Sequence, residues 1–169
     1  MDSVVPRPVP ADREAARRRR RSTVVIRESL RELSVQLSLL NHQVGVRLAL
    51  NDVDIDCLDL IDRHGPISPS ALARRAGLHP ATLTGVLDRL QKGGWIVRER
   101  DTADRRAVTL RTVRDRGAEL LHLYSGMNNA MDDICAGYAD AELELLAGFL
   151  RRTADAGRSA TDDLAKAAD

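Results

Sequence analysis

Between Thr23 and Leu50 the apolar residues Ile26, Leu30, Leu33, Leu37, Leu40, Val44 and Leu48 recur at spacings of four and three. That period puts them on one stripe of a helix. The helix spans roughly 40 Å at about 1.5 Å per residue. It is longer than a small core can cover, so the stripe calls for a second chain or the C-terminal helices as its cover. Asp54 to Arg63 predicts a second helix, closed by Gly65-Pro66. Ser68-Pro69 opens a third, with serine as N-cap and proline at the first helical position, and Gly77 ends it. His79-Pro80 opens a fourth, which runs to Lys92 and stops at Gly93-Gly94. Leu83, Leu87 and Leu90 form its inner face, leaving Pro80, Ala81, Thr82, Thr84 and Arg89 to face out. Trp95 to Arg100 and Val108 to Arg111 read as short strands around the loop DTADRRA. Thr112 with Asp115 predicts a capping box for a long helix carrying Leu120, Leu123, Met127, Met131, Ile134 and Tyr138. Asp140 is the expected cap of a last helix with Leu143, Leu146, Phe149 and Leu150.

Two short helices, a tight turn and a hairpin with an arginine-bearing tip make the layout of a winged helix-turn-helix. The fold class expected is mainly α with a small β wing: a winged helix-turn-helix domain plus a helical dimerisation domain. Residues 1–21 are expected as a disordered basic arm, because Pro6, Pro8, Pro10 and the run Arg17 to Arg21 disfavour packing. Such an arm either adds phosphate contacts or is an idle solvated tail. Residues 22–50 and 113–160 make the dimerisation region, 51–112 the DNA-binding domain, and 161–169 a frayed tail.

The net charge of +1 says little, but its distribution changes the picture. Residues 68–112 hold nine Lys/Arg against four acids, and residues 117–169 hold four bases against ten acids. A basic block beside acidic flanks fits a phosphate-binding surface. With 2% aromatic content, the core must be filled by aliphatic side chains. Cys57 and Cys135 are too few and too isolated for a disulfide framework or a zinc site, so no metal and no cofactor are expected. Cys57 lies among Ile55, Leu58 and Leu60, where inert packing outweighs redox sensing. No apolar run reaches the roughly 18 residues that span a bilayer, and Glu28, Arg31 and Glu32 interrupt any signal-peptide core. A protein of the cytoplasm, without membrane contact, is expected.

The stretch LARRAGLHPATLTGVLDRLQKGGWIVRERDTADRRA, flanked on both sides by long amphipathic helices, resembles the MarR family of bacterial transcriptional regulators. The resemblance covers about residues 23–156. It implies a homodimer built from the first and the last two helices of each chain. It also implies binding to double-stranded DNA at a pseudo-palindromic operator, with recognition helices in major grooves and wings in minor grooves. By the same resemblance Arg106 is the wing-tip arginine that enters the minor groove, and Asp104 the acid that holds the wing. Thr82 and Thr84 face bases and phosphates, and Ala81 can meet a thymine methyl. Pro80 and Arg89, on the same helix, are further DNA-contact candidates, and Ser70, Arg98 and Arg105 are phosphate-contact candidates. Thr82 and Thr84 also read as ordinary surface positions, and Arg105 as an ion-pair partner of Asp101 or Asp104.

The sequence departs from the family pattern at three places: His79 stands at the usual Ser or Asp cap, Gly85 at a base-reading position, and Val113-Arg114 before Gly117 alter the segment after the wing. The family further implies a small-molecule effector, bound between the dimer helices and the winged domain. His42, Arg47, Cys57, Asp62 and His122 are the candidate contacts; the histidines, His64 included, also read as plain surface or part-buried groups. The resulting expectation is a regulator, with repression the favoured mode, released from its operator by that effector. An enzyme is not expected, since no His-Glu-x-x-His, Gly-x-Ser-x-Gly, Walker or Gly-x-Gly-x-x-Gly motif is present. A winged-helix module for protein binding is the alternative, disfavoured because interface cores are depleted of charge.

Overall fold

The structure, a computed structural model, describes residues 10–100 and 108–167. Helix α1 runs from Pro10 to Leu48. The chain turns at Ala49, with φ 53°, into α2, Asp52–His64, and Leu50 folds back against Gly45. The Leu50 N–H donates to the Gly45 carbonyl at 2.9 Å, and a Cβ at Gly45 would stand 2.7 Å from the Leu50 oxygen. Only glycine admits that approach. Asn51 caps α2: its side chain accepts from the Asp54 N–H at 2.9 Å, while Asp54 accepts from the Asn51 N–H at 3.2 Å. This reciprocal pair is a capping box with aspartate in the third helical position.

Helix α3, Pro69–Ala76, starts at Ser68, whose hydroxyl accepts from the Ala71 N–H, and ends at Gly77 with φ 63°. Helix α4, Pro80–Lys92, follows after three residues. Leu83, Val86, Leu87 and Leu90 of α4 are all buried, at the three-and-four spacing of an inner face. Gly94, at φ 72°, turns the chain into Trp95 and strand β1, Ile96–Arg100. Strand β2, Val108–Thr112, pairs with β1 antiparallel, Ile96 opposite Thr112 and Arg100 opposite Val108. Ile67 adds a short bridge to Leu110 on the other side of β2.

These elements close one core. Ile61 of α2, Leu72 of α3, Leu90 of α4, Trp95, Ile96 and Leu110 are almost wholly excluded from solvent and touch one another in a single cluster. At roughly 25 cal/mol per Å² of apolar surface removed from water, such side chains each contribute about 1.5–3 kcal/mol. The chain then continues as α5, Arg114–Leu123, α6, Ser125–Cys135, and α7, Asp140–Ala167, none of which buries a residue.

Several expected boundaries are corrected. The basic arm is helical from Pro10 onward, because Ala, Arg and Glu in that stretch are strong helix formers and proline is suited to a first turn. The tail is helical to Ala167, helped by the ion pairs Arg158–Asp155 and Lys166–Asp163 one turn apart. Thr112 does not cap α5. It belongs to β2, and its hydroxyl donates to Asp62 at 2.9 Å, so α5 starts at Arg114 with Val113 as an uncapped boundary. The long helix expected after the wing is two, broken at Tyr124, whose phenol donates to Asn41 of α1 at 2.8 Å. Asp140 lies inside α7; the Ala139 N–H is capped instead by Glu142 at 2.9 Å.

Candidate nucleic-acid interface

The outer face of α4 is exposed at Pro80, Ala81, Thr82, Thr84, Asp88 and Arg89. Its inner face is locked into the core, so this outer face is held rigidly. His79 takes up the cap, its Nδ1 accepting from the Ala81 N–H at 3.3 Å. That bond needs the neutral ring, with the proton on Nε2. The Thr82 hydroxyl makes no hydrogen bond among the described residues. Thr84 differs: its hydroxyl donates to the Pro80 carbonyl at 3.0 Å, so in this conformer it offers an acceptor and a methyl group but no proton for a phosphate. Gly85 sits between them with room beside it. A Cβ there would meet only the end of Arg89, at 3.7 Å, so a ligand backbone can approach this turn closely.

Ser70 is exposed at the start of α3, its hydroxyl 3.2 Å from that of Ser68. Arg74 and Arg75, at the other end of α3, are exposed and form no ion pair among the described residues. The sequence reading passed over both, although their place in the last turn before the α3–α4 turn marks them as cationic flanks of the recognition helix. Arg98 on β1 donates to Asp88 of α4 at 2.6 Å, which ties the wing's first strand to the recognition helix. Arg111 on β2 pairs across the ladder with Glu99 at 2.9 Å. Asp104, Arg105 and Arg106 lie outside the described residues.

Arg89 has a different place from the one its exposure suggests. Its Nη2 and Nε donate to the two oxygens of Asp54, at 2.8 and 3.1 Å, in a bidentate fork. Asp54 is almost completely buried, and its hydrogen bond holds the Arg89 pKa above the ordinary value. This pair fastens α4 to the capped start of α2, so the guanidinium serves the fold before it serves DNA. The signal for it was legible: Asp54 shares the buried face of α2 with Ile55, Leu58 and Ile61, and a carboxylate on such a face needs a partner.

The five effector candidates are not brought to one place. His42 Nδ1 lies 3.2 Å from Asp52, whose carboxylate accepts from it, and Asp62 accepts from Thr112 at the opposite end of α2. Cys57 is fully buried, and burial pushes its thiol up to about 11, so it packs in the core as a neutral thiol. Arg47 and His122 are exposed, and no hydrogen bond or ion pair among the described residues joins any two of the five. A groove of about 400 Å³ instead opens along α1, lined by Leu30, Leu33, Leu37, Asn41 and Asp56.

The base of the wing is joined to the following helix. Arg116 of α5 lies 3.9 Å over the Trp95 ring, a cation–π contact, and pairs with Glu119.

Residues 50–108 match the model of the MarR family. An HTH-type transcriptional regulator of Bacillus subtilis (strain 168), YcgE, is 30% identical over 142 residues, which is 79% of this chain and 92% of that one. The chain belongs to the MarR family. The transcriptional repressor YetL of the same organism is 29% identical over 84 residues, half of each chain. The crystal structure of MarR itself superposes with a TM-score of 0.53 at 26% identity, over 78% of this chain and 96% of that one. The protein is therefore a DNA-binding transcription regulator with a winged-helix head. No described helix is long and apolar enough to cross a membrane.

Proposed function

We propose that the protein is a homodimeric repressor that reads a pseudo-palindromic operator and lets go of it when a small effector binds. The observation that carries the reading is the division of α4: four buried residues inward, and an exposed face of Ala81, Thr82 and Thr84 outward beside the half-buried Gly85, with Thr82 uncommitted. Few charged groups crowd that face, which suits contact with base edges and thymine methyls. Arg106 is the minor-groove reader, and Asp104 and Arg105 hold or flank it. Dimerisation is supported by the apolar stripes left open on α1, α6 and α7, which a two-fold partner covers. Repression is favoured because YetL, among the relatives, is named a repressor. The effector's place is the groove along α1, within the roughly 300–1,000 Å³ of ordinary ligand pockets. A ligand there acts by preferring the head spacing that does not fit DNA.

The test is a titration of the protein against a fluorescent duplex from upstream of its own gene, beside a scrambled duplex, with Arg106→Ala in parallel. The expected result is preference for the upstream duplex by a dimer, with a loss of about 1–3 kcal/mol in the variant. Equal, weak binding of both proteins to both duplexes rejects the reading.

A further inference from the structure

The N-terminal part of α1 carries a row that neither the head nor the apolar stripe uses. Arg13, Arg17, Arg20, Arg27 and Arg31 recur at spacings of four, three, seven and four, so they lie along one side of the helix. Arg31 stands two residues before Leu33 of the stripe, a rotation of about 200°. The row therefore faces away from Leu40 and Val44, which lie on the covered side of α1. All five arginines are exposed, and none forms an ion pair among the described residues. Residues 12–31 hold eight arginines against three carboxylates. The row is about 27 Å long, and a duplex presents one negative charge per about 1.7 Å of its axis.

We infer that this side of α1 is a second DNA-binding surface, one that takes the phosphodiester backbone without regard to base sequence. The inference rests on DNA being the protein's ligand and adds a surface that the recognition helix and wing do not contain. A second copy docked on the apolar stripe would cover the side of α1 that carries Leu40 and Val44, opposite the row, which disfavours the acidic C-terminal helix of a partner subunit as the row's occupant. Arginine planes on a rigid helix give directed contacts to phosphate oxygens, where a loose tail would give only a diffuse field. The surface holds the regulator on non-operator DNA, either elsewhere on the bound duplex or on a neighbouring one.

The experiment compares the full chain with a row variant, Arg13→Gln, Arg17→Gln and Arg20→Gln, and with an off-row control, Arg18→Gln and Arg19→Gln. Glutamine keeps helix propensity close to that of arginine. Binding to a scrambled duplex and to the upstream duplex is measured over a range of KCl, with sedimentation of each protein alone. The row variant is expected to lower the salt slope on the scrambled duplex by up to about 2.7, near 0.9 per lost phosphate contact. The control is expected to lower it by less per arginine, and the preference for the upstream duplex persists in both. An unchanged slope in the row variant overturns the inference. So does an equal loss per arginine in the control, or a row variant whose dimer dissociates while its salt slope holds. Loss of sequence preference in the unmodified protein would instead reject the operator reading, and the two failures are separate.

Discussion

In α4, Leu83, Val86, Leu87 and Leu90 recur at helical spacing and all are buried. In α7, Leu143, Leu146, Phe149 and Leu150 recur at similar spacing and none is. The same contrast divides the molecule. The head from α2 to β2 spends its apolar residues on its own core, while α1, α6 and α7 leave Leu37, Leu39, Ile134, Leu145 and Leu150 open to solvent in the single chain. Contiguous exposed apolar area of this extent is the kind of surface that interfaces present. The head thus folds by its own burial, while the described helical flanks leave much of their apolar surface unburied.

The contrast breaks most visibly at Trp95. The ring is buried in the head's core beneath the Arg116 guanidinium. Trp95→Ala is expected to cost about 3–5 kcal/mol, through lost apolar contact and an unfilled cavity. Guanidinium denaturation reads this as a lower midpoint. Leu145→Ala, at a residue 70% exposed, is expected to leave the denaturation free energy of the head within about 0.5 kcal/mol. It should instead make the thermal midpoint more dependent on protein concentration, as a weakened dimer does. A Leu145→Ala chain that unfolds like Trp95→Ala would show that the flanks belong to the head's own core.

Arg89→Ala sharpens the comparison at an intermediate scale. Asp54 would keep its Asn51 contacts but lose its counter-charge in a buried position. The expected loss is about 1–3 kcal/mol of head stability, the scale of a buried polar group left without its partner. DNA binding by the folded variant should keep its salt slope. A slope lower by about 0.9, with stability intact, would return Arg89 to the phosphate contacts.

What the sequence disclosed follows the same division. The head was legible because its signals are local: Ser68-Pro69, Gly77, His79-Pro80 and Gly93-Gly94 each stop or start a helix through their own backbone chemistry. The flanks were less so. A capping box at Thr112 and Asp115 has the right spacing, but Asp62, fifty residues away in the chain, takes the threonine hydroxyl. The break at Tyr124 similarly depends on Asn41, which no local pattern reveals. The arginine run looked like a disordered arm because like charges repel, yet helix propensity extends α1 back to Pro10. Among the site residues, exposure was predicted correctly for Thr82 and Arg89, but the commitment of Arg89 to Asp54 is a tertiary fact. The effector candidates were chosen by element alone, and elements alone do not bring side chains to one point.

The smallest expected effect lies where the two regions meet. Asp56 is on the outer side of α2, in the groove beside α1, and partial burial raises its pKa, with Asp52 and Asp59 pushing the same way. A raised carboxyl favours the folded state when protonated. Its penalty is therefore absent below the ordinary value of 3.8, grows as pH rises through the raised folded value, and is complete above it. Asp56→Asn removes that penalty, so the variant should melt slightly higher than the parent at pH 7 and at the same temperature near pH 3. If a partner's apolar stripe covers this groove, burial deepens and the difference at pH 7 should grow with protein concentration. A difference that persists unchanged at pH 3 would mean that shape, and not the carboxylate charge, sets the stability of this junction.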